Sequence, residues 1–113
     1  MTKPLDGVKV IDLSNMLMAP YATQILGDMG ADIIKVEPPI GDPIRGIGPY
    51  RNPGMGAIFM NINRSKRSIV LDLKKPEGHA AILELLKDAD ILIYNRRPQV
   101  MDRLDLSYEK LSK

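Results

Sequence analysis

The 113-residue chain contains no cysteine and no tryptophan, and it has one histidine and one phenylalanine. Without cysteine there is no disulfide framework, no thiolate metal site and no thiol nucleophile. The lone histidine, His79, has no second histidine or thiolate to complete a transition-metal ligand set, so no metal is expected. Its place in the first turn of a helix opened by Pro76 favours a structural role. A net charge of only +2 and so few aromatic stacking surfaces argue against nucleic acid. No apolar run approaches the roughly 20 residues of a membrane span, and "MTKPLDG" lacks the apolar core of a signal peptide. The expectation is a soluble cytoplasmic protein without a membrane partner.

A glycine-rich phosphate fingerprint is missing too. After the first expected strand the chain reads "SNMLMAPYA", with no glycine where G-x-G-x-x-G would have to stand, and G-x-x-x-x-G-K-[ST] occurs nowhere. The G-x-G pairs Gly46/Gly48 and Gly54/Gly56 fall in a loop. Nicotinamide or flavin dinucleotide binding through that motif is excluded.

What is present is a regular alternation of elements. At 44% hydrophobic and 27% charged residues the chain can bury a core, about two-thirds of its unfolded surface at this length. Val8–Leu13 is short and β-branched and reads as a buried strand. Pro20 suits the first turn of a helix with Ala22, Ile25, Leu26 and Met29 as its apolar face, closed by Gly30 in a left-handed cap. Asp32–Val36 is a second strand, ended by Pro38 and Pro39. Residues 38–56, rich in glycine and proline, form a long irregular loop of the kind that is functional or disordered. A short helix over 57–61, a strand over Ser68–Leu73, a helix from Pro76 with Ile82, Leu83 and Leu86 inward, a strand over Ala89–Tyr94 and a final short helix complete the pattern. This is an α/β fold: a Rossmann-like, mainly parallel sheet with flanking helices, whose ligands sit beyond the carboxyl ends of the strands.

Charge then singles out one stretch. "NRSKRSIVLDLKKPEG" (63–78) brackets one strand with Arg64, Lys66, Arg67, Lys74 and Lys75, and Arg96, Arg97 and Arg103 follow within 40 residues of its start. If the third and fourth strands are neighbours, Lys74, Lys75, Arg96 and Arg97 share one edge. Charge alone fits a solvated basic rim as well as a phosphate-rich ligand held by charge-assisted hydrogen bonds. The ten aspartates offer carboxylates everywhere, and Asp12, Asp32, Asp88 and Asp90 have no rank among them as a nucleophile.

The quoted segments decide between these. "GADIIKVE", "NRSKRSIVLDLK" and "ADILIYNRRPQVMDRL", within a match running over all 113 residues, resemble the N-terminal part of the family III CoA-transferases, the group of formyl-CoA transferase, carnitine CoA-transferase and α-methylacyl-CoA racemase. The resemblance implies that residues 1–113 are a coenzyme A-binding, Rossmann-like N-terminal part of a larger CoA-transferase domain. It implies an interlocked homodimer in the full-length protein, with acyl-CoA and a carboxylic acid as partners and no tightly bound cofactor. The positions that match coenzyme A contacts are Leu17, Met18, Leu71, Asp72, Leu73, Lys74, Asn95, Arg96, Arg97 and Arg103.

The implied activity is acyl-CoA:carboxylate CoA transfer through an aspartyl anhydride, with the nucleophilic aspartate outside this chain. No catalytic residue is therefore assigned here, and the fragment alone is expected to be inactive. A racemase-like enzyme and a non-catalytic coenzyme A-binding module are the alternatives, the long 38–56 loop favouring transfer. Two positions depart from the family pattern. Pro38 stands where an arginine is found, and Arg96 stands where an aromatic would lie near the adenine, so ring stacking would become guanidinium stacking.

Overall fold

A computed structural model describes residues 2–113. The chain forms β1 (Lys9–Asp12), α1 (Met18–Asp28), β2 (Asp32–Glu37), a tight helical turn (Pro43–Gly46), α2 (Ala57–Ile62), β3 (Lys66–Val70), α3 (Pro76–Lys87), β4 (Ile91–Ile93), α4 (Pro98–Arg103) and α5 (Tyr108–Leu111). All strand pairs are parallel, in the order β3-β2-β1-β4. The α/β class and the parallel sheet expected from the alternation are present.

The expected adjacency of the third and fourth strands is not. They are the two outer strands, separated by β2 and β1. The chain builds outward from β1 through β2 to β3, then crosses back to place β4 on the free side of β1. The reversal leaves a switch point between the carboxyl ends of β1 and β4, where doubly wound sheets open a crevice. The third strand also begins earlier than expected, at Lys66, because its register is set by pairing Ile33 to Lys66 and Glu37 to Val70. Leu71 makes a last bond to β2, donating to the Glu37 carbonyl at 3.0 Å, and Asp72 and Leu73 have left the sheet.

Alternation along the strands sorts side chains onto two faces. Ile11, Leu13 and Val36 meet Ile82 of α3, Met101 of α4 and Leu106 in the main apolar core. On the other face, under α1, Val10, Ala31 and Ile33 form a smaller cluster with Leu26. Toward the carboxyl ends that second face turns ionic, with Asp12, Lys35 and Glu37 all buried. This explains a correction in α1. Its buried residues are Pro20, Thr23, Gln24 and Gly27, while Ala22, Ile25 and Met29 of the expected apolar face are exposed. The polar side of the helix turns inward because what lies beneath it is polar. Gly30 takes the left-handed conformation expected of it (φ 109°) and donates to the Gly27 carbonyl at 3.0 Å.

Candidate functional site

Three of the five cations that bracket the third strand are paired within the chain, one of them in its interior. Lys66 Nζ lies 3.1 Å from Asp12 Oδ2 and donates to the Pro20 carbonyl and to Asn63 Oδ1, each at 2.8 Å. Burial pulls its pKa down, and the Asp12 carboxylate opposes that pull. Arg64 pairs with Asp28 at 2.9 Å and Arg67 with Asp32 at 2.7 Å, both at the surface.

Lys74 and Lys75 behave differently. They follow the carboxyl end of β3 and, together with Pro76, His79, Arg96, Val100 and Arg103, line an open cavity of about 650 Å³, whose one acidic residue, Asp105, is paired with Lys110. A narrow cleft of about 70 Å³ continues from it between Glu37, Pro38, Leu71, Asp72 and Leu73, sharing Lys74, Arg96 and Leu104. Strand adjacency does not bring these residues together. The turn after β3 and helix α4 after β4 meet over the sheet's carboxyl edge, drawn in by Leu71, Leu73 and Leu104, which pack on the main core. Among the described residues none of Lys74, Lys75, Arg96 and Arg103 has an acidic partner. Arg96 Nε is buried without any hydrogen-bond acceptor. Four cations without an acidic partner on one concavity, one of them with an unsatisfied buried donor, form a charge arrangement complementary to an anion.

The cradle is rigid behind the cations. Gly78, in the first turn of α3, presses so closely on the preceding turn that a Cβ there would stand 2.0 Å from the Asp72 carbonyl oxygen. Asp72 itself accepts the Lys74 amide at 3.1 Å, so the turn carrying the lysines is closed by its own carboxylate.

Of the residues expected at the site, Leu71, Asp72, Leu73, Lys74, Arg96 and Arg103 surround this cavity and cleft. Arg97 caps α4 and is exposed outside it. Leu17 and Met18 lie across the sheet at the start of α1, also exposed. Asn95 joins the two regions: its Oδ1 accepts the Asn15 amide at 3.2 Å and its Nδ2 donates to the Asn15 carbonyl at 2.9 Å, across the switch point between β1 and β4.

Two features escaped the sequence. His79 lines the cavity, which a residue count of metal ligands could not show. The ionic layer under α1 is the other. Lys35 pairs with Asp42 at 2.9 Å, and Glu37 receives Arg45 Nε at 2.7 Å, Arg45 Nη2 at 2.8 Å and Ser68 Oγ at 2.6 Å. Burial pushes the Glu37 carboxyl up, but these donors and the Asp42 amide outweigh it and hold the pKa at about 2. Its partner Arg45 lies 3.8 Å over the Phe59 ring. Residues 38–46 are thereby anchored to the sheet. Its signal was available: Asp12, Lys35, Glu37 and Lys66 share strand parity, a row of charges on one face of a sheet that should be buried.

Known proteins resemble the chain throughout. The sequence model of CoA-transferase family III matches residues 5–113. An acetyl-CoA:oxalate CoA-transferase from Acetobacter aceti is 49% identical over 111 residues, covering 97% of this chain and 28% of that protein. A succinyl-CoA:glutarate CoA-transferase from Mus musculus is 39% identical, covering 98% of this chain and 26% of its own length. The crystal structure of a CaiB/BaiF family protein from Brucella suis superposes with a TM-score of 0.92 at 40% identity, covering 99% of this chain and 31% of that one. The chain thus spans a little over a quarter of the length of the curated relatives it matches.

Proposed function

From the premise that this chain belongs to CoA-transferase family III, we propose that it is the coenzyme A-binding N-terminal part of an acyl-CoA:carboxylate CoA-transferase. The observation that carries the reading is the convergence of unpaired Lys74, Lys75, Arg96 and Arg103 on one cavity at the sheet's carboxyl edge. Coenzyme A carries a pyrophosphate and a ribose phosphate on one end of a long, nearly uncharged arm. A rigid concavity with four cations suits that end, and the guanidinium of Arg96 offers a flat partner for adenine.

In the proposed route the phosphate end is held here and the thioester is directed away, toward a carboxylate supplied by the remainder of the enzyme. That aspartate attacks the thioester carbonyl, the C–S bond breaks, and the coenzyme A thiolate leaves behind an aspartyl acyl anhydride. The thiolate then attacks the aspartyl carbonyl of the anhydride, releasing the donor acid and forming aspartyl-CoA. The acceptor carboxylate repeats the sequence in reverse. Binding energy gathered at the nucleotide is used to position the reacting thioester, so this part contributes through orientation. The donor and acceptor pairs in the names of the relatives, such as acetyl-CoA with oxalate and succinyl-CoA with mesaconate or glutarate, define the panel to test. Assembly as a homodimer belongs to the same proposal.

Calorimetric titration of the chain with coenzyme A and with dephospho-CoA tests the reading. Binding of coenzyme A that weakens severalfold without the ribose phosphate is expected. Equal affinity for both, or none for either, would defeat it. Incubated with the donor and acceptor panel, the 113-residue chain should show no coenzyme A exchange by mass spectrometry, since the nucleophile is placed outside it.

A further inference from the structure

We propose that Asp42, with Lys35 beside it, is a positioning residue that holds the turn between β1 and α1 in the conformation that meets coenzyme A. The inference rests on the binding reading above and concerns the turn across the switch point, which Asn95 joins to the cavity side.

Met16 lies in the left-handed region, with φ 66°. For a residue with a long side chain this conformation is uncommon and strained, and it persists only where the surroundings over-determine it. The surroundings here do so from three strand ends. Asp12 Oδ1 accepts the Ser14 amide at 2.8 Å, Lys35 Nζ donates to the Ser14 carbonyl at 3.0 Å, and Asn95 makes its two bonds to Asn15. Only Asp42 reaches the strained residue itself: its Oδ1 accepts the Met16 amide at 3.2 Å while Oδ2 pairs with Lys35. Both side chains of that pair are almost wholly buried, at 2% and 1% exposure, so neither is a surface ornament.

The outcome of this clamp is outward presentation. Immediately beyond Met16, Leu17 is 46% and Met18 77% exposed, and α1 begins there without any side-chain cap. The apolar clusters of the fold take in neither Leu17 nor Met18. A turn pre-shaped at a sheet's switch point, next to an uncapped helix start, does serve a ligand that must find its contacts already in place. Asp42 lies on the loop that follows β2, so the same carboxylate links that loop to the β1–α1 turn.

Two double variants isolate the Asp42 oxygen. K35M/D42N and K35M/D42L both remove the buried charge pair, so neither strands an unpaired ion. They differ in whether an acceptor remains for the Met16 and Ile44 amides, and K35M/D42S, with a hydroxyl that can still cap Ile44, separates the two. At matched thermal midpoints the two double variants are compared with each other, since both lack the Lys35 bond to the Ser14 carbonyl. K35M/D42L should bind coenzyme A at least about tenfold more weakly than K35M/D42N, and its amides over residues 16–18 should exchange at least about tenfold faster than those of K35M/D42N. K35M/D42S, whose hydroxyl is too short to reach Met16, serves in its place if the leucine variant does not fold. Equal affinities of the two double variants, or unchanged exchange over residues 16–18 when the acceptor is gone, would overturn the positioning role alone. Failure of the unaltered chain to bind coenzyme A would overturn the reading of the site and this role with it.

Discussion

Lys66 Nζ and Asp12 Oδ2 lie 3.1 Å apart between two side chains that are 2% and 0% exposed. The pair ties the edge strand β3 to β1 across β2, and Lys66 extends to the Pro20 carbonyl in the first turn of α1. A lysine that in sequence looks like part of an exposed basic cluster is instead the inner face of the fold.

Removing one partner of this pair should therefore be costly. Asp12→Ala leaves the Lys66 ammonium buried without a counter-charge, and a loss of about 3–5 kcal/mol in unfolding free energy is expected. Lys66→Met should be milder, because Asp12 keeps its donors Ser14 and Thr23. Urea unfolding of the two variants checks the order, and a milder Asp12→Ala would contradict it.

Acid should act through Glu37. Its carboxyl is held at about 2 in the folded chain against an ordinary value of 4.5. The unfolded chain thus takes up this proton first as pH falls, so the stabilisation is intact above about 4.5 and is lost progressively down to about 2. In Glu37→Gln that part of the pH dependence should vanish. Chemical-denaturation midpoints recorded between pH 6 and 2, on the order of this titration range, compare the two slopes. Parallel slopes would show that Glu37 is not the group responsible.

Gly78→Ala is expected to damage both stability and binding. The added Cβ falls 2.0 Å from the Asp72 carbonyl oxygen, so either α3 or the turn carrying Lys74 and Lys75 must move. Overpacking of this kind costs about 1–3 kcal/mol. A variant of unchanged stability and unchanged coenzyme A affinity would mean that the close approach is not maintained in solution.

Cation substitutions should divide the sequence cluster in two. Lys74→Ala, Arg96→Ala and Arg103→Ala should each weaken coenzyme A binding by about 1–3 kcal/mol with little change in fold stability. Arg64→Ala, which belongs to the same run but pairs with Asp28 outside the cavity, should leave the affinity unchanged. Titration calorimetry on the four variants separates a specific phosphate cradle from a diffuse basic surface, for which all four would weaken alike.

Much of the architecture is legible along the chain. Each β-branched run became a strand, and each proline at a first helical turn opened or sat within a helix. Element bounds moved by two or three residues where register, a property of two strands at once, set them. Ser68 was expected to start β3, yet pairing with β2 recruits Lys66 and Arg67 into it.

Local pattern, in short, specified the element types, the alternating βα order and the family motifs, because turn chemistry and hydrophobic period act within a few residues. It could not specify which strands neighbour each other, since the crossover that sends β4 to the far side of β1 depends on how helices pack on both faces. Nor could it tell a buried cation from an exposed one. Lys66 and Lys74 are the same residue type in one short run, and only the tertiary structure places a carboxylate beside the first and an open cavity beside the second. A charge is held internally or left for a ligand according to what lies within about 4 Å of it, and that distance spans residues far apart in the chain.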